Sequence, residues 1–154
     1  MSPVTRPSIY EFAGGRDAFL ALAAATTERC LADPELNHAF GQGLSHNHDE
    51  NLATYWAEVF GGPESYSRNL GGHSGMLSIH AGQGAPDEWG DRFAACFIQA
   101  MDDAELPDDA ELRGVLHEYI HWATREVNTY SLMGTTVRSG QPMPRWSWDG
   151  LQPT

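Results

Sequence analysis

The sequence predicts an all-α protein, and this prediction rests on three observations. Apolar residues recur at helical spacing over most of the chain. Glycine and proline interrupt this periodicity at places that would end helices, such as Gly61-Gly62-Pro63 and the stretch from Gly82 to Pro86. Alternating runs of β-branched residues, which are typical of strands, are absent. We therefore expect helices joined by glycine- and proline-containing turns, and no strands.

Four long helices and one short turn are predicted between these breaks. The predicted segments are a helix over Arg16–Asp33, a turn over Pro34–Phe40, and helices over His46–Phe60, Pro86–Ala104 and Asp108–Tyr130. Proline suits the first turn of the third long helix, because its missing N–H group would have no partner there. Aspartate suits the N-cap position of the fourth, which we place at Asp108.

The length and the C-terminal composition predict one domain with a tail. A chain of 154 residues is long enough for a single hydrophobic core. From Ser139 onward the chain carries Pro142, Pro144, Trp146 and Trp148, which suggests an extended segment that its tryptophans hold against the domain. We expect a helical domain over residues 8–130 and a tail over residues 131–154.

Composition excludes several classes of function. The net charge is −12 and all nine basic residues are arginine, so the chain lacks lysine chemistry and would repel nucleic acid and anionic lipid. The longest apolar stretch, Phe19–Ala25, is far shorter than the roughly 20 residues needed to span a bilayer. No signal-peptide pattern is present, and Cys30 and Cys96 are isolated, as expected for reduced thiols. We expect a cytoplasmic protein.

His48 occupies an unusual position in the second long helix. An apolar stripe at spacings of three and four residues is formed by Leu44, His48, Leu52, Tyr55 and Val59. An imidazole within such a stripe needs a partner, since burying it unpaired costs on the order of 1–3 kcal/mol. Two interpretations remain open: a core histidine bonded to another protein group, or a histidine that faces a ligand.

His80 ends the short apolar segment Met76–His80, which precedes glycine-rich chain. A histidine presented in this way can direct one ring nitrogen at a metal ion while the other bonds a carbonyl group. The alternative is a loop histidine with no special role.

The segment His117–His121 matches the H-E-x-x-H pattern of zinc hydrolases. The apolar stripe of the same helix, however, consists of Leu112, Leu116, Tyr119, Ala123 and Val127. At about 100° per residue, His117 and His121 fall on the opposite side of the helix, and a catalytic zinc ion also needs a third protein ligand. We interpret this face as solvated, and keep a zinc hydrolase on His117, Glu118 and His121 as a rival hypothesis.

Three stretches resemble the truncated haemoglobins of the second group. They are the pair Gly14-Gly15, the segment from Leu31 to Phe40, and the run Tyr55-Trp56 to Ser67 that contains Gly61-Gly62-Pro63-Glu64-Ser65-Tyr66-Ser67. The similarity covers roughly Ser8–Asn128, and the tail segment Pro144–Gly150 resembles an actinobacterial branch of that group. The resemblance implies a globin-like two-over-two helical sandwich around haem b.

The resemblance also implies roles for individual residues. The proximal iron ligand falls on His80, and the distal histidine, as a donor to the bound ligand or as a sixth iron ligand, falls on His48. The implied lining of the cofactor pocket is Phe40, Leu52, Tyr55 and Phe93, with Thr27 as a further polar contact.

The sequence departs from that family at several implied positions. Thr27 stands where the family usually has a ligand-bonding tyrosine, and Phe93 stands where it usually has a tryptophan. The positions that often supply Arg or Lys to the haem propionates hold Asn51, Leu77 and Ile79. Arg68 or His73 is the expected substitute, and the loss of these charge-assisted bonds leaves weaker haem retention as an open alternative.

The expected function is therefore a haem protein that binds oxygen or another diatomic gas, such as nitric oxide or carbon monoxide, as a monomer or homodimer. Peroxide or nitric oxide turnover stays open, because no residue selects it. A second rival is a haem-free helical interaction domain in which His48 and His80 are structural and the tail docks a partner.

Overall fold

A computed structural model describes residues 6–41, 44, 46–132 and 134–153. Within them the chain forms eight helices and one small sheet. The helices are α1 (Ile9–Ala13), α2 (Gly15–Ala32), α3 (Asn37–Gly41), α4 (His48–Val59), α5 (Ser65–Asn69), α6 (Gly72–His80), α7 (Asp87–Asp103) and α8 (Ala110–Thr129). None of the helices in these ranges is long and apolar enough to cross a membrane.

The four predicted long helices are confirmed as α2, α4, α7 and α8, with ends that differ by one or two residues. The N-cap of α8 is Asp109 rather than the predicted Asp108. The carboxylate of Asp109 accepts a hydrogen bond from the backbone N–H of Leu112 at 2.8 Å. This bond pairs one of the amide groups that the first turn of a helix leaves free.

Several short elements differ from the prediction. The segment expected as a turn over Pro34–Phe40 contains most of α3, and the segment expected as a loop over Met76–His80 is the C-terminal half of α6. Helix α6 starts at Gly71 and Gly72, whose φ angles of 96° and 64° favour glycine. Glycine-rich chain has low intrinsic helix propensity, so this helix depends on tertiary contacts that the local pattern does not show.

The tail contains the only sheet of the described chain, where no strand was expected. Strand β1 (Trp146–Ser147) pairs antiparallel with β2 (Gly150–Leu151). Two-residue strands are too short to show an alternating pattern in the sequence.

The core lies between the four long helices. Helix α2 packs on α4 and α7, and α7 packs on α8. Aromatic rings connect these layers: Trp56 meets Phe97 edge-on at 4.9 Å between centroids, and Phe60 meets Tyr119 at 4.8 Å. This aromatic core fixes the inner end of α4 relative to α7 and α8.

The tail lies against the helical domain through its tryptophans. The ring of Trp146 packs edge-on against Tyr119 and Trp122 of α8, with centroids 5.6 and 5.9 Å apart. The indole N–H of Trp148 donates to the carbonyl oxygen of Pro7 at 2.9 Å, and the guanidinium carbon of Arg6 lies 3.5 Å from the centre of the Trp148 ring. The tail therefore joins α8 to the N-terminal segment.

Candidate functional site

Helices α4 and α6 carry the two histidines singled out in the sequence. His48 is the first residue of α4, and His80 is the last residue of α6. Residues seven positions apart lie on nearly the same side of a helix. His48 therefore shares a side of α4 with Tyr55, and His80 shares a side of α6 with His73.

A hydrogen bond joins α4 to α6 at one end of these two sides. The hydroxyl oxygen of Tyr55 lies 2.8 Å from Nδ1 of His73. His48 lies seven residues before Tyr55 in α4, and His80 lies seven residues after His73 in α6. The two histidines therefore lie at the end of these helix sides that is opposite the Tyr55–His73 bond. The pKa of His80 is lowered from its ordinary value, mainly by burial and also by the neighbouring His48. The two imidazoles are therefore close enough to interact electrostatically.

His80 has the geometry of a metal ligand. Its Nδ1 lies 2.9 Å from the carbonyl oxygen of Met76, one turn earlier in α6. An Nδ1–H that donates to this oxygen fixes the plane of the ring and leaves Nε2 with a free lone pair. The side chain is accessible to solvent, yet surrounding protein lowers its pKa. The lowered pKa favours the neutral imidazole, which is the form that binds a metal ion.

A small polar cluster lies on the His48 side. The hydroxyl of Thr27 in α2 donates to Oδ1 of Asp49 at 2.6 Å. Nδ1 of His48 lies 3.3 Å from the same oxygen and 3.4 Å from the hydroxyl oxygen of Thr27. These two distances are longer than an ordinary N–H···O bond, so the cluster holds the His48 ring only weakly.

Apolar side chains flank His48. The ring of Phe40 meets His48 edge-on at 6.0 Å between centroids and stacks on Phe93 at 6.1 Å. Phe40, Leu52 and Phe93 are each partly exposed. Large apolar groups with free surface beside His48 form a wall that a flat apolar ligand could cover. Leu44 was expected on the buried stripe of this helix, but it precedes α4 and is 37% exposed.

His73 is engaged at both ring nitrogens. It is 3% exposed, and its Nε2 lies 2.7 Å from Oε1 of Glu126 in α8, opposite the bond to Tyr55. A propionate could reach this ring only by displacing Tyr55 or Glu126. The other expected propionate partner, Arg68, has a side chain that is 75% exposed and lies 3.8 Å from Glu64.

The three positions where the resemblance placed propionate-binding cations carry none. Asn51 is half-buried, Leu77 is fully buried and Ile79 is 66% exposed. Only Ile79 therefore presents an open surface position beside His80.

Sequence reasoning missed three acidic residues around these helices. Asp49 follows His48 directly, and this adjacency was a visible signal. Glu126 approaches His73 from α8 only in the folded chain. Glu58 is fully buried and accepts hydrogen bonds from the backbone N–H of Ser67, at 2.9 Å, and from its hydroxyl. Its signal was a charged residue inside the apolar stretch from Tyr55 to Phe60.

The H-E-x-x-H segment lies on the outer side of α8. His117 and Glu118 are exposed and His121 is half-buried. The buried side of α8 consists of Leu112, Val115, Leu116, Tyr119, Ile120 and Thr124, whereas Ala123 and Val127, which were expected there, are half-buried. In the described part of the chain no three His, Cys, Asp or Glu side chains are grouped to hold a metal ion. The zinc-hydrolase hypothesis therefore lacks its third ligand.

Comparison with known families gives one match. The family model described as bacterial-like globin matches residues 8–125. A search of curated proteins finds no match.

Three solved structures with a similar fold are described as haemoglobins. A haemoglobin from the thermophilic phototrophic bacterium Chloroflexus aurantiacus is 28% identical, with a TM-score of 0.69 over 79% of this chain and 98% of its own. A thermostable haemoglobin from the actinobacterium Thermobifida fusca is 31% identical, with a TM-score of 0.66 over 79% and 96%. An oxygen-avid truncated haemoglobin from Bacillus subtilis shares the fold at 22% identity, with a TM-score of 0.68 over 79% and 97%.

Proposed function

Because this chain belongs to the bacterial-like globin family, we propose that His80 is the axial ligand of a haem iron and that His48 lies on the opposite, ligand-binding side. The observation that carries this assignment is the bond from Nδ1 of His80 to the carbonyl oxygen of Met76, which leaves Nε2 free. A metal-ligating imidazole needs one ring nitrogen held by a hydrogen bond and the other free to bind the metal ion.

The residues present fit the cofactor. A porphyrin needs a neutral imidazole on one side and a dry apolar surface around its ring. His80 supplies the imidazole, and the surrounding protein lowers its pKa, which favours the neutral ring. Phe40, Leu52 and Phe93 supply partly exposed apolar surface on the His48 side. Haem binding would cover that surface, which adds about 25 cal/mol for each Å² removed from water.

When bound, haem supplies a ferrous iron that takes up a diatomic gas such as oxygen. The chain then controls how polar the ligand-binding side is. Of the hydrogen-bonding side chains on this side, we assign His48 to the ligand. The hydroxyl of Thr27 already donates to Asp49. Phe93 has no donor. We infer that a single imidazole, weakly held by Asp49, stabilises the bound ligand.

We propose that the ligands include oxygen, nitric oxide and carbon monoxide. We also propose that the protein acts in the cytoplasm. All three are small diatomic molecules that a ferrous iron accepts. Oxygen would gain most from His48, because oxygen held at a ferrous haem would accept a stronger hydrogen bond than carbon monoxide would.

Haemin titration of the apoprotein tests the proposal. We expect one haemin per chain, with the absorption spectrum of a histidine-ligated haem, and a changed spectrum in the His80→Ala variant. His38→Ala is the matched control, because His38 is an exposed histidine on α3. A protein that takes up no haemin, or a His80→Ala variant with an unchanged spectrum, would overturn the assignment.

A further inference from the structure

The outer side of α8 carries a pair of histidines that the globin site does not use. His117 and His121 are one helical turn apart, and their ring centroids lie 4.6 Å from each other at an interplanar angle of 57°. His117 is exposed and His121 is half-buried. Neither side chain is an acceptor or donor in a hydrogen bond or ion pair of the described chain; only the backbone carbonyl of His121 is bonded, to Thr124 and Arg125.

We propose that His117 and His121 form a surface site for one divalent transition-metal ion of the kind that imidazole prefers, namely Cu²⁺, Ni²⁺ or Zn²⁺. Imidazole nitrogens are good ligands for these ions, and copper binds most tightly to a given set of nitrogen ligands. The site is separate from haem binding and does not depend on the function proposed above.

The spacing of the two rings matches what one ion requires. Metal–nitrogen distances of about 2.1 Å and a ligand–metal–ligand angle of about 90–110° place two imidazole centroids roughly 4.5–5.3 Å apart. The observed separation of 4.6 Å falls in this range. The rings therefore reach a common ion by rotating about their side-chain bonds, without movement of the helix.

The surroundings leave room for the ion and its water ligands. Gly114, one turn before His117, has no atoms within 4 Å of the position that a Cβ would occupy, apart from its chain neighbours and the backbone of its own helix. With no third metal-binding side chain grouped there in the described residues, water completes the coordination. The net charge of −12 also raises the local concentration of cations.

This arrangement differs from the zinc-hydrolase hypothesis in the role of Glu118. Glu118 lies about 100° from His117 around the helix and three residues before His121, so it borders the side formed by the two histidines rather than lying between them. The site thus binds a metal ion through two ring nitrogens and needs no carboxylate. In the zinc-hydrolase hypothesis Glu118 activates water and is not a metal ligand, so Glu118→Gln tests only whether this carboxylate contributes to metal binding.

Calorimetric titration with copper(II), supported by EPR of the bound ion, tests the proposal on the full-length, haem-loaded protein without a polyhistidine tag. Haem bound at His80, as proposed above, would keep that histidine out of the titration, and the His80→Ala variant serves the same purpose in the haem-free protein. We expect one copper ion per chain with nitrogen hyperfine structure. His117→Ala and His121→Ala should each weaken binding by about tenfold or more, because a two-point attachment becomes a single one.

Two further variants make the result specific. Glu118→Gln and His38→Ala should both leave copper affinity unchanged, since neither side chain belongs to the pair. The haem spectrum of every variant reports that the fold is intact. Equal copper affinity in wild type, His117→Ala and His121→Ala would overturn the proposal, as would a loss of affinity in Glu118→Gln equal to that in the histidine variants.

Discussion

The hydroxyl of Tyr55 donates a hydrogen bond to Nδ1 of His73 across 2.8 Å and so ties α4 to α6. Burial raises the pKa of Tyr55 well above its ordinary value, so the phenol stays protonated. Nε2 of His73 then carries the ring proton and donates to Glu126 at 2.7 Å. These three hydrogen-bonded side chains set the distance between α4, which bears His48, and α6, which bears His80.

Replacing Tyr55 with phenylalanine should destabilise the protein. The ring would still fill its place, but Nδ1 of His73 would be buried without a donor, which costs roughly 1–3 kcal/mol. Urea unfolding of the apoprotein measures this loss. Tyr10→Phe is the control, because the hydroxyl of Tyr10 takes part in no hydrogen bond of the described chain. Equal stability of wild type and Tyr55→Phe would show that the Tyr55–His73 bond does not hold the helices.

Asp49 should limit the hydrogen bond from His48 to bound oxygen. When Nδ1–H of His48 points to Asp49, 3.3 Å away, Nε2 has only a lone pair and cannot donate to the ligand. Removing the acceptor in Asp49→Ala favours the form with the proton on Nε2. We expect oxygen to dissociate about 2- to 10-fold more slowly, the effect of one hydrogen bond.

Stopped-flow measurement of oxygen release tests this, with His48→Ala/Asp49→Ala as the control that removes the donor. The double variant should release oxygen faster than Asp49→Ala, and carbon monoxide release should change little in either protein. Slower oxygen release that persists in the double variant would exclude His48 as the donor.

A positive charge beside His80 should improve haem retention. The family-typical cation is absent at Ile79, which is 66% exposed. Ile79→Arg places a guanidinium next to the proposed axial ligand, where it can bond a propionate. Because the position is exposed, the gain is small, and haem transfer to an excess of an acceptor apoglobin should slow by about 2- to 10-fold.

Leu132→Arg provides the matched control for Ile79→Arg. Leu132 is 73% exposed and lies after α8, so this variant adds the same charge in another place. Similar slowing in both variants would mean that net charge, rather than a local bond, controls haem loss.

The tail should contribute to stability through Trp146. Its side chain is 7% exposed and packs on Tyr119 and Trp122. Truncation in Trp146→Ala should cost about 3–5 kcal/mol in the free energy of unfolding. Leu151→Ala, at a side chain 43% exposed in the same tail, should cost far less. A small effect at both positions would mean that residues 131–154 are not needed for the core.

Helices α4, α7 and α8 were predictable because each buries one side, and the period of apolar residues reveals this. Helix α2 also buries one side, but its alanine and leucine residues lie all around the helix and leave no clear period. Helix α6 was not predictable, since Gly71, Gly72 and Gly75 weaken the helical pattern and its order comes from contacts with other parts of the chain. The small sheet at Trp146–Ser147 and Gly150–Leu151 is too short to leave a pattern.

Within the site, the sequence predicted His48 and His80 but not their partners. Met76 holds His80 through its backbone carbonyl. Every residue has such a carbonyl, so a sequence pattern does not show which one a side chain will bond. Glu126 meets His73 from a helix more than 50 positions away, which requires the tertiary fold. Asp49 was within reach of sequence reasoning, because it adjoins His48.

Resonance Raman spectroscopy of the ferrous, ligand-free protein tests most directly whether His80 holds the iron. Wild type should show an iron–imidazole stretching band. His80→Gly should lack the band and regain it when imidazole is added, at a frequency that shifts with deuterated imidazole. A band that persists in His80→Gly without added imidazole would place the iron on another histidine and contradict the assignment.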